Sequence, residues 1–233
     1  MKPLENSAGA LSLSFTDQGG TPYSGSAITV TGLGAGQSVK LASSGTGTFS
    51  AGSAKVVATA PISGNLTFAN VDTGTGRLIG EGSVSASLPV EKQTIFVDTV
   101  GGYNVGVAYI NPGAGGSANV QLRLMNAAGV QVATTTHELG SGNHRAAFPN
   151  EMFSAVPPAQ FTNFTGTMQV IGGSPLVALA LRYDPTFTIF TSTAPIQIAS
   201  LIDAPFKWLA ERPWGQFTPI AKMLASLVLG RSA

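Results

Sequence analysis

Leu11-Ser-Leu-Ser-Phe-Thr-Asp-Gln-Gly-Gly20 and Val120-Gln-Leu-Arg-Leu-Met-Asn-Ala-Ala-Gly129 are two versions of one segment. At a constant offset Leu11, Leu13, Phe15, Asp17 and Gly20 fall on Val120, Leu122, Leu124, Asn126 and Gly129. In both, apolar residues alternate with polar ones, and an Asx-to-Gly pair closes the run, which reads as a strand followed by a tight turn. The correspondence extends outward. Gly52, Val56 and Pro61 match Gly166, Val170 and Pro175; Leu33 and Gly36 match Leu139 and Gly142; Pro89 matches Pro195. Self-similarity on this scale marks a chain made by duplicating one β module.

The two copies differ at their starts. A strong strand, Tyr103 to Pro112 (YNVGVAYINP), precedes the second copy, whereas Met1 falls opposite Ile110 and only the polar, turn-rich KPLENSAGA stands before Leu11. A module short of one strand presents an unpaired edge that templates another chain. The expectation is an open edge at Leu11 to Phe15, completed by a neighbouring copy; the competing readings are closure within the chain by residues 88–98 or the first ten residues, or a strand removed by a truncated start.

The remaining segments fit all-β architecture. AITVTGL, SVKLA, AKVVATA, NLTFAN, TIFVD, VQVATTTHE, HRAAF, GTMQVIG, LVALALRY and FTIFTST are short and β-branched or apolar, and clusters of Gly, Ser, Asp and Pro separate them. Asp72-Thr73-Gly74 reads as a hairpin tip. PNEMFSAVPPAQFTNF (149–164) reads as a helical turn plus a loop. The expected fold is two tandem Ig-like antiparallel β-sandwiches with a short helical C-terminal tail. The divisions are residues 1–98, 99–200 and 201–233, with VDTVGG (97–102) joining the copies.

The tail changes character. Asp203-Ala204-Pro205 and Thr218-Pro219 are helix starts. Ile220, Met223, Leu224, Leu227 and Val228 share one face of a helix over 219–229, with Gly230 as its C-cap. Both tryptophans of the chain lie here. Phe206, Trp208, Trp214 and Phe217, with Met223, Leu224 and Leu227, form the candidate partner-binding set, because tryptophan anchors carry much interface energy. A cap on the second sandwich and attachment at a membrane interface are the competing roles.

Of 233 residues, 43% are hydrophobic and only 10% charged, with 29 glycines and a net charge of +1. The charged fraction is well under the roughly 25% usual in soluble proteins. Such a composition suits secreted β proteins and subunits of surface layers, filaments or capsids. It leaves no basic footprint for nucleic acid, and weak repulsion permits self-association. Cysteine is absent, which removes disulfides and thiol chemistry. MKPLENSAGALSLSF lacks the apolar core of a signal peptide, so the expectation is a processed or truncated start, or a chain not exported by that route.

No residue set announces a reaction. His137, Glu138 and His144 in HELGSGNH lack a third metal ligand and are expected on an exposed hairpin. Arg182-Tyr183-Asp184 ends a central strand, where such an arginine pairs with a nearby acid. The Asp72 loop holds too few carboxylates for calcium. Asn65 and Asn163 match the glycosylation sequon. No G-x-S-x-G or phosphate loop occurs, GLGAG (32–36) being a turn, and no pair of carboxylates is placed for acid–base work. No catalytic residue, metal or cofactor is expected.

Gly102-Tyr103-Asn-Val-Gly-Val-Ala-Tyr-Ile-Asn-Pro112, Phe164-Thr-Gly-Thr-Met-Gln-Val170 and Pro175-Leu-Val-Ala-Leu-Ala-Leu-Arg182 together resemble a tandem Ig-like β-sandwich module of secreted bacterial surface proteins. The resemblance covers about residues 100–196, covers 11–98 in degraded form, and leaves the tail out. It implies an extracytoplasmic β-sandwich and transfers no catalytic residues. The reading that follows is a non-enzymatic extracellular structural or adhesive protein, a homo-oligomer or a subunit with partner subunits in a surface assembly or filament. A carbohydrate-binding accessory module and a viral capsid or tail component are the alternatives.

Overall fold

The computed structural model describes residues 9–23, 27–42, 52–72, 74–113, 115–197 and 229–230. The first copy supplies β1 (Gly9–Asp17), β2 (Ile28–Leu33), β3 (Ser38–Val39), β4 (Gly52–Ala58), β5 (Asn65–Val71) and β6 (Leu78–Ser85). Then follow β7 (Val90–Asp98), β8 (Asn104–Ile110), β9 (Ala118–Asn126), β10 (Gln131–Leu139), β11 (His144–Ala147), the helical turn α1 (Pro149–Met152), β12 (Thr165–Tyr183), β13 (Phe190–Thr193), β14 (Ile196–Gln197) and β15 (Leu229–Gly230). The protein is all-β, and its pairings are antiparallel.

β12 organises the second copy. GTMQVIG and LVALALRY, read as separate strands from sequence, are one strand of 19 residues. Its first half pairs with β9 on one side and β7 on the other, in the order β10-β9-β12-β7-β14. Its second half pairs with β8 and β13, and β8 pairs with β11. The two layers meet over one core. Ile95, Val97, Val120, Leu122, Met168 and Val170 come from the first layer, and Val105, Val107, Tyr109 and Ala180 from the second. The strand changes layer at Gly172-Gly173-Ser174-Pro175. A side chain on Gly172 would put Cβ 2.2 Å from the Ser174 carbonyl oxygen, so the bend requires glycine. Gln93 of β7 holds it from within: its amide donates to Leu176 O (2.9 Å) and accepts from Ala178 N (3.2 Å).

The first copy repeats the local chemistry of the second. Asp17 pairs with Gly52 as Asn126 pairs with Gly166. Added Cβ atoms on those glycines would lie 2.2 Å from Thr16 O and 2.1 Å from Met125 O. The turns share their closing bonds: Gly20 N donates to Asp17 O and Gly129 N to Asn126 O, and Thr21 N and Val130 N donate to the Asp17 and Asn126 side chains. Gly36 and Gly142 share φ near 74°, at 73° and 75°.

Two tandem Ig-like sandwiches are not established: among the described residues the first copy has β2-β1-β4 as a three-stranded sheet and β5-β6 as a separate hairpin. β7, counted with residues 1–98, hydrogen-bonds to β12 from Thr165↔Asp98 to Ile171↔Lys92, so its backbone groups complete the second copy's sheet. The edge at Leu11 to Phe15 is not open, because β1 is the central strand, paired with β2 on one side and β4 on the other.

Among the described residues the halves touch beside Gly20 and along the β5-β6 hairpin. Gly20 abuts Gly142 and Asn143, and His144 N donates to Gln18 O (3.2 Å). The β5-β6 hairpin lies on β13, where Gly82 receives the Phe190 ring and Asn70 Nδ2 donates to Thr188 O (3.1 Å). Of the expected tail, only Leu229–Gly230 is described. It is extended and paired with Val39 and Ser38, not the end of a helix capped by Gly230, because its backbone groups are committed to a strand partner.

Gln93→Leu leaves Leu176 O and Ala178 N buried without partners, about 1–3 kcal/mol each. Urea unfolding of the variant is expected to show a lower midpoint with an unchanged slope.

Candidate functional site

The two copies differ in what flanks their matching strands among the described residues. β2, β1 and β4 occupy the places of β10, β9 and the first half of β12. In the second copy the next place is filled by β7 and the facing layer begins with β8. In the first copy no described strand pairs with β4 on the side away from β1. The consequence is read in burial. Val170 and Met168 are fully buried, whereas Val56, the counterpart of Val170, is 38% exposed and its neighbour Val57 54%. Leu66 and Val71 of β5 and Leu78 and Ile79 of β6 are exposed as well. Among the described residues of this copy Leu11 and Leu33 are the large apolar side chains that are buried, and they floor an apolar pocket that Ala58 and Ile62 also line. This apolar sheet, whose β4 edge has no partner among the described residues, is the candidate site, and what it can do chemically is bind another strand or apolar surface.

The histidines are placed otherwise than expected. His137 is on β10 and His144 on β11, strands of different layers that do not pair with each other. His137 Nε2 is 2.8 Å from the Tyr109 hydroxyl, and Tyr109 is itself buried, its phenol pushed up to about 12 by desolvation. His144 is only 9% exposed. Neither is an exposed hairpin residue: the alternation of each strand turns the ring toward neighbouring layers. Both imidazoles are held below the usual histidine range. For His137 the causes are burial and then the charge of Arg145. For His144 burial outweighs the opposing pull of the Asp17 backbone and charge. Among the described residues no three His, Asp or Glu side chains converge.

Other sequence candidates have structural partners. Arg182 bonds Asp98 at 2.8 Å and stacks over the Tyr103 ring at 3.6 Å, tying β12 to β7 and the start of β8. Asp72 closes its turn by accepting from Gly74 N and Thr75 N, and those bonds hold its carboxyl below the usual range. Asp184 does the same at the matching turn, accepting from Thr188 N and Ile189 N. Its bonds, the Thr186 hydroxyl's first, bring it to about 2. Asn163 adopts φ 56° and accepts from Gly101 N, so its side chain closes a turn. The partner-binding set Phe206, Trp208, Trp214, Phe217, Met223, Leu224 and Leu227 lies outside the described residues. Sequence reasoning missed the β4 edge and the Tyr109–His137 pair. The match of Pro89 with Pro195 was the available signal for the first, since it places β7 at the head of the second module.

No family model matches the sequence, and no curated protein matches it. Among solved structures the chain is similar to that of T=1 particles derived from infectious bursal virus. The identity is 10% and the TM-score 0.25, over 81% of this chain and 53% of that one. A T=13 viral particle of IBDV gives 9% and 0.21, over 78% and 51%. The Gt strain of infectious bursal disease virus gives 11% and 0.21, over 78% and 58%. The chain thus spans about half the length of the solved chains it matches, at scores too low to establish a common fold.

The histidines set a pH dependence. Because the folded state disfavours both imidazolium forms, the unfolded chain takes up protons first. The stability these rings contribute is complete above about pH 6.5 and is lost as pH falls through their lower folded-state values. Urea midpoints are expected to hold steady above about pH 7 and drop toward about pH 5. His137→Gln/His144→Gln is expected to flatten that drop.

Proposed function

We propose that this protein is a non-enzymatic structural subunit of an extracellular or cell-surface assembly, built from tandem Ig-like β modules of the kind found in secreted bacterial surface proteins. The observation that carries this reading is the open apolar sheet of the first copy. Val56 stays exposed where its counterpart Val170 is buried, and Val57, Leu66, Val71, Leu78 and Ile79 are exposed beside it; full burial of one such side chain is worth about 1.5–3 kcal/mol. A surface of this kind marks an interaction site. Charged residues at 10% and a net charge of +1 offer little repulsion between copies, and the same sparse charge suits an exported β protein.

The aromatic tail is the second docking element in this reading. Its residues concentrate the chain's tryptophans in a segment outside the repeat, and the following Leu229–Gly230 pairs with β3 of the open copy. The partner is another subunit, either of this chain or of a companion protein.

Light scattering on the native full chain tests the reading. A particle several chains in mass, dissociating on dilution, is the expected result; a single-chain mass at every concentration contradicts it. Trp208→Ala/Trp214→Ala is expected to weaken association by about 2 kcal/mol or more if these rings are anchors, measured as a shift in the dilution midpoint.

A further inference from the structure

The seam between the two copies is built around a histidine. The turn that closes β1 seats on the turn between β10 and β11: an added Cβ on Gly20 would lie 2.9 Å from Asn143 Oδ1 and 3.0 Å from the Gly142 carbonyl carbon. Gly20 has φ 79° and Gly142 φ 75°, so the two turns meet through residues without side chains. A backbone hydrogen bond crosses there, from His144 N to Gln18 O (3.2 Å). The ring of the same residue is buried, and its Nδ1 has no hydrogen-bond partner among the described residues. An imidazolium carries N–H on both nitrogens. Charging this ring therefore places a donor where no described acceptor stands, at the point where the first copy is held.

Among the described residues few charged or titratable groups surround the ring. From the first copy comes Asp17, whose backbone and charge favour the imidazolium. From β8 the cross-strand partner is Ile110, and the neighbouring Tyr109 has its hydroxyl on His137. On β11 itself Arg145 is next in sequence, and its charge acts on Tyr109 and His137. The turn at 140–143 holds no ionisable side chain. Burial outweighs the pull of Asp17, so the seated ring is held below the usual histidine range. We infer that His144 is an acid-operated latch between the two copies: neutral, it lets the turn at 17–21 seat on the second copy, and protonated, it releases that turn. A ring whose protonation the seated state disfavours contributes fully to seating above about pH 6.5, and that contribution is lost as pH falls through its lower seated value. The hairpin contact on β13 is not released with it, because Asn70, Gly82, Thr188 and Phe190, which make it, do not titrate. The inference concerns the chain's own conformation and stands apart from the structural-subunit reading.

The His144 amide is its own reporter, since its acceptor is Gln18 O across the seam. Hydrogen exchange on the full-length chain, corrected for intrinsic rates at each pH, compares it with the amide of Val170, a residue laddered between β7 and β9. Protection of His144 is expected to lie below that of Val170 and to fall about threefold or more between about pH 7 and about pH 5. His144→Gln is expected to remove that fall. Asp17→Asn is expected to enlarge it, because the charge that favours the imidazolium is gone. The turn itself tolerates this change, since Asn126 accepts the matching bond from Val130 N in the second copy. A native chain whose His144 protection does not change with acid overturns the inference, and so does a fall that persists in His144→Gln. Protection of His144 equal to that of Val170 at both pH values overturns it as well, because the seam then opens only when the whole chain unfolds. Should His144→Gln leave the amide unprotected at both pH values, Asp17→Asn decides: a larger fall supports the latch, and an unchanged one overturns it.

Discussion

The pairing of β7 with β12 is the constraint on which the rest of the molecule depends. A strand of 19 residues that serves two layers must bend, and the bend interrupts the ladder with β7 between Ile171 and Leu176. Glycine at 172 makes the bend sterically possible, and Gln93 replaces the lost ladder bonds with its side-chain amide. At the matching place in the first copy no described strand supplies a glutamine, and the ladder stops: β4 ends at Ala58 and β5 begins at Asn65. One added strand thus separates a two-layered module with a continuous core from a sheet and a hairpin that leave their valines in solvent.

Much of this was legible in residues 11–20 and 120–129. The alternation of Leu11, Leu13 and Phe15 and the Asx-to-Gly closure gave β1 and its turn, and the match to the second copy held down to individual hydrogen bonds. Turn chemistry at Asp72 and the helical turn after Phe148 were equally readable, because each rests on local residues. What escaped was assignment of strands to sheets. TIFVD reads as a strand in either module, and nothing local to it says that its partner lies some seventy residues later. The repeat itself held the answer in Pro89 and Pro195, which mark the same point of the module and so place β7 at the start of the second unit.

The histidines illustrate the same limit at the level of side chains. HELGSGNH has the composition of an exposed hairpin, yet β10 and β11 belong to different layers. The tight turn at Gly140 to Asn143 passes the chain from one layer to the other, which brings His137 onto the Tyr109 hydroxyl and His144 against the first copy's loop. Burial here follows from topology, which short-range pattern does not encode. The candidate site was half legible: the alternation of Leu11 to Phe15 marked a sheet strand, and only the pairing of β1 on both sides placed the edge without a described partner at β4.

Amide hydrogen exchange along β4, compared between dilute and concentrated samples, tests the central claim most directly. The outward-facing amides between Ser53 and Ala58 have no described partner, while those of Thr167 to Ile171 are laddered on both sides. The account predicts that the β4 amides exchange quickly at low concentration and become protected as chains associate, with the β12 amides protected throughout. Protection of β4 equal to that of β12 in the dilute single chain would contradict it.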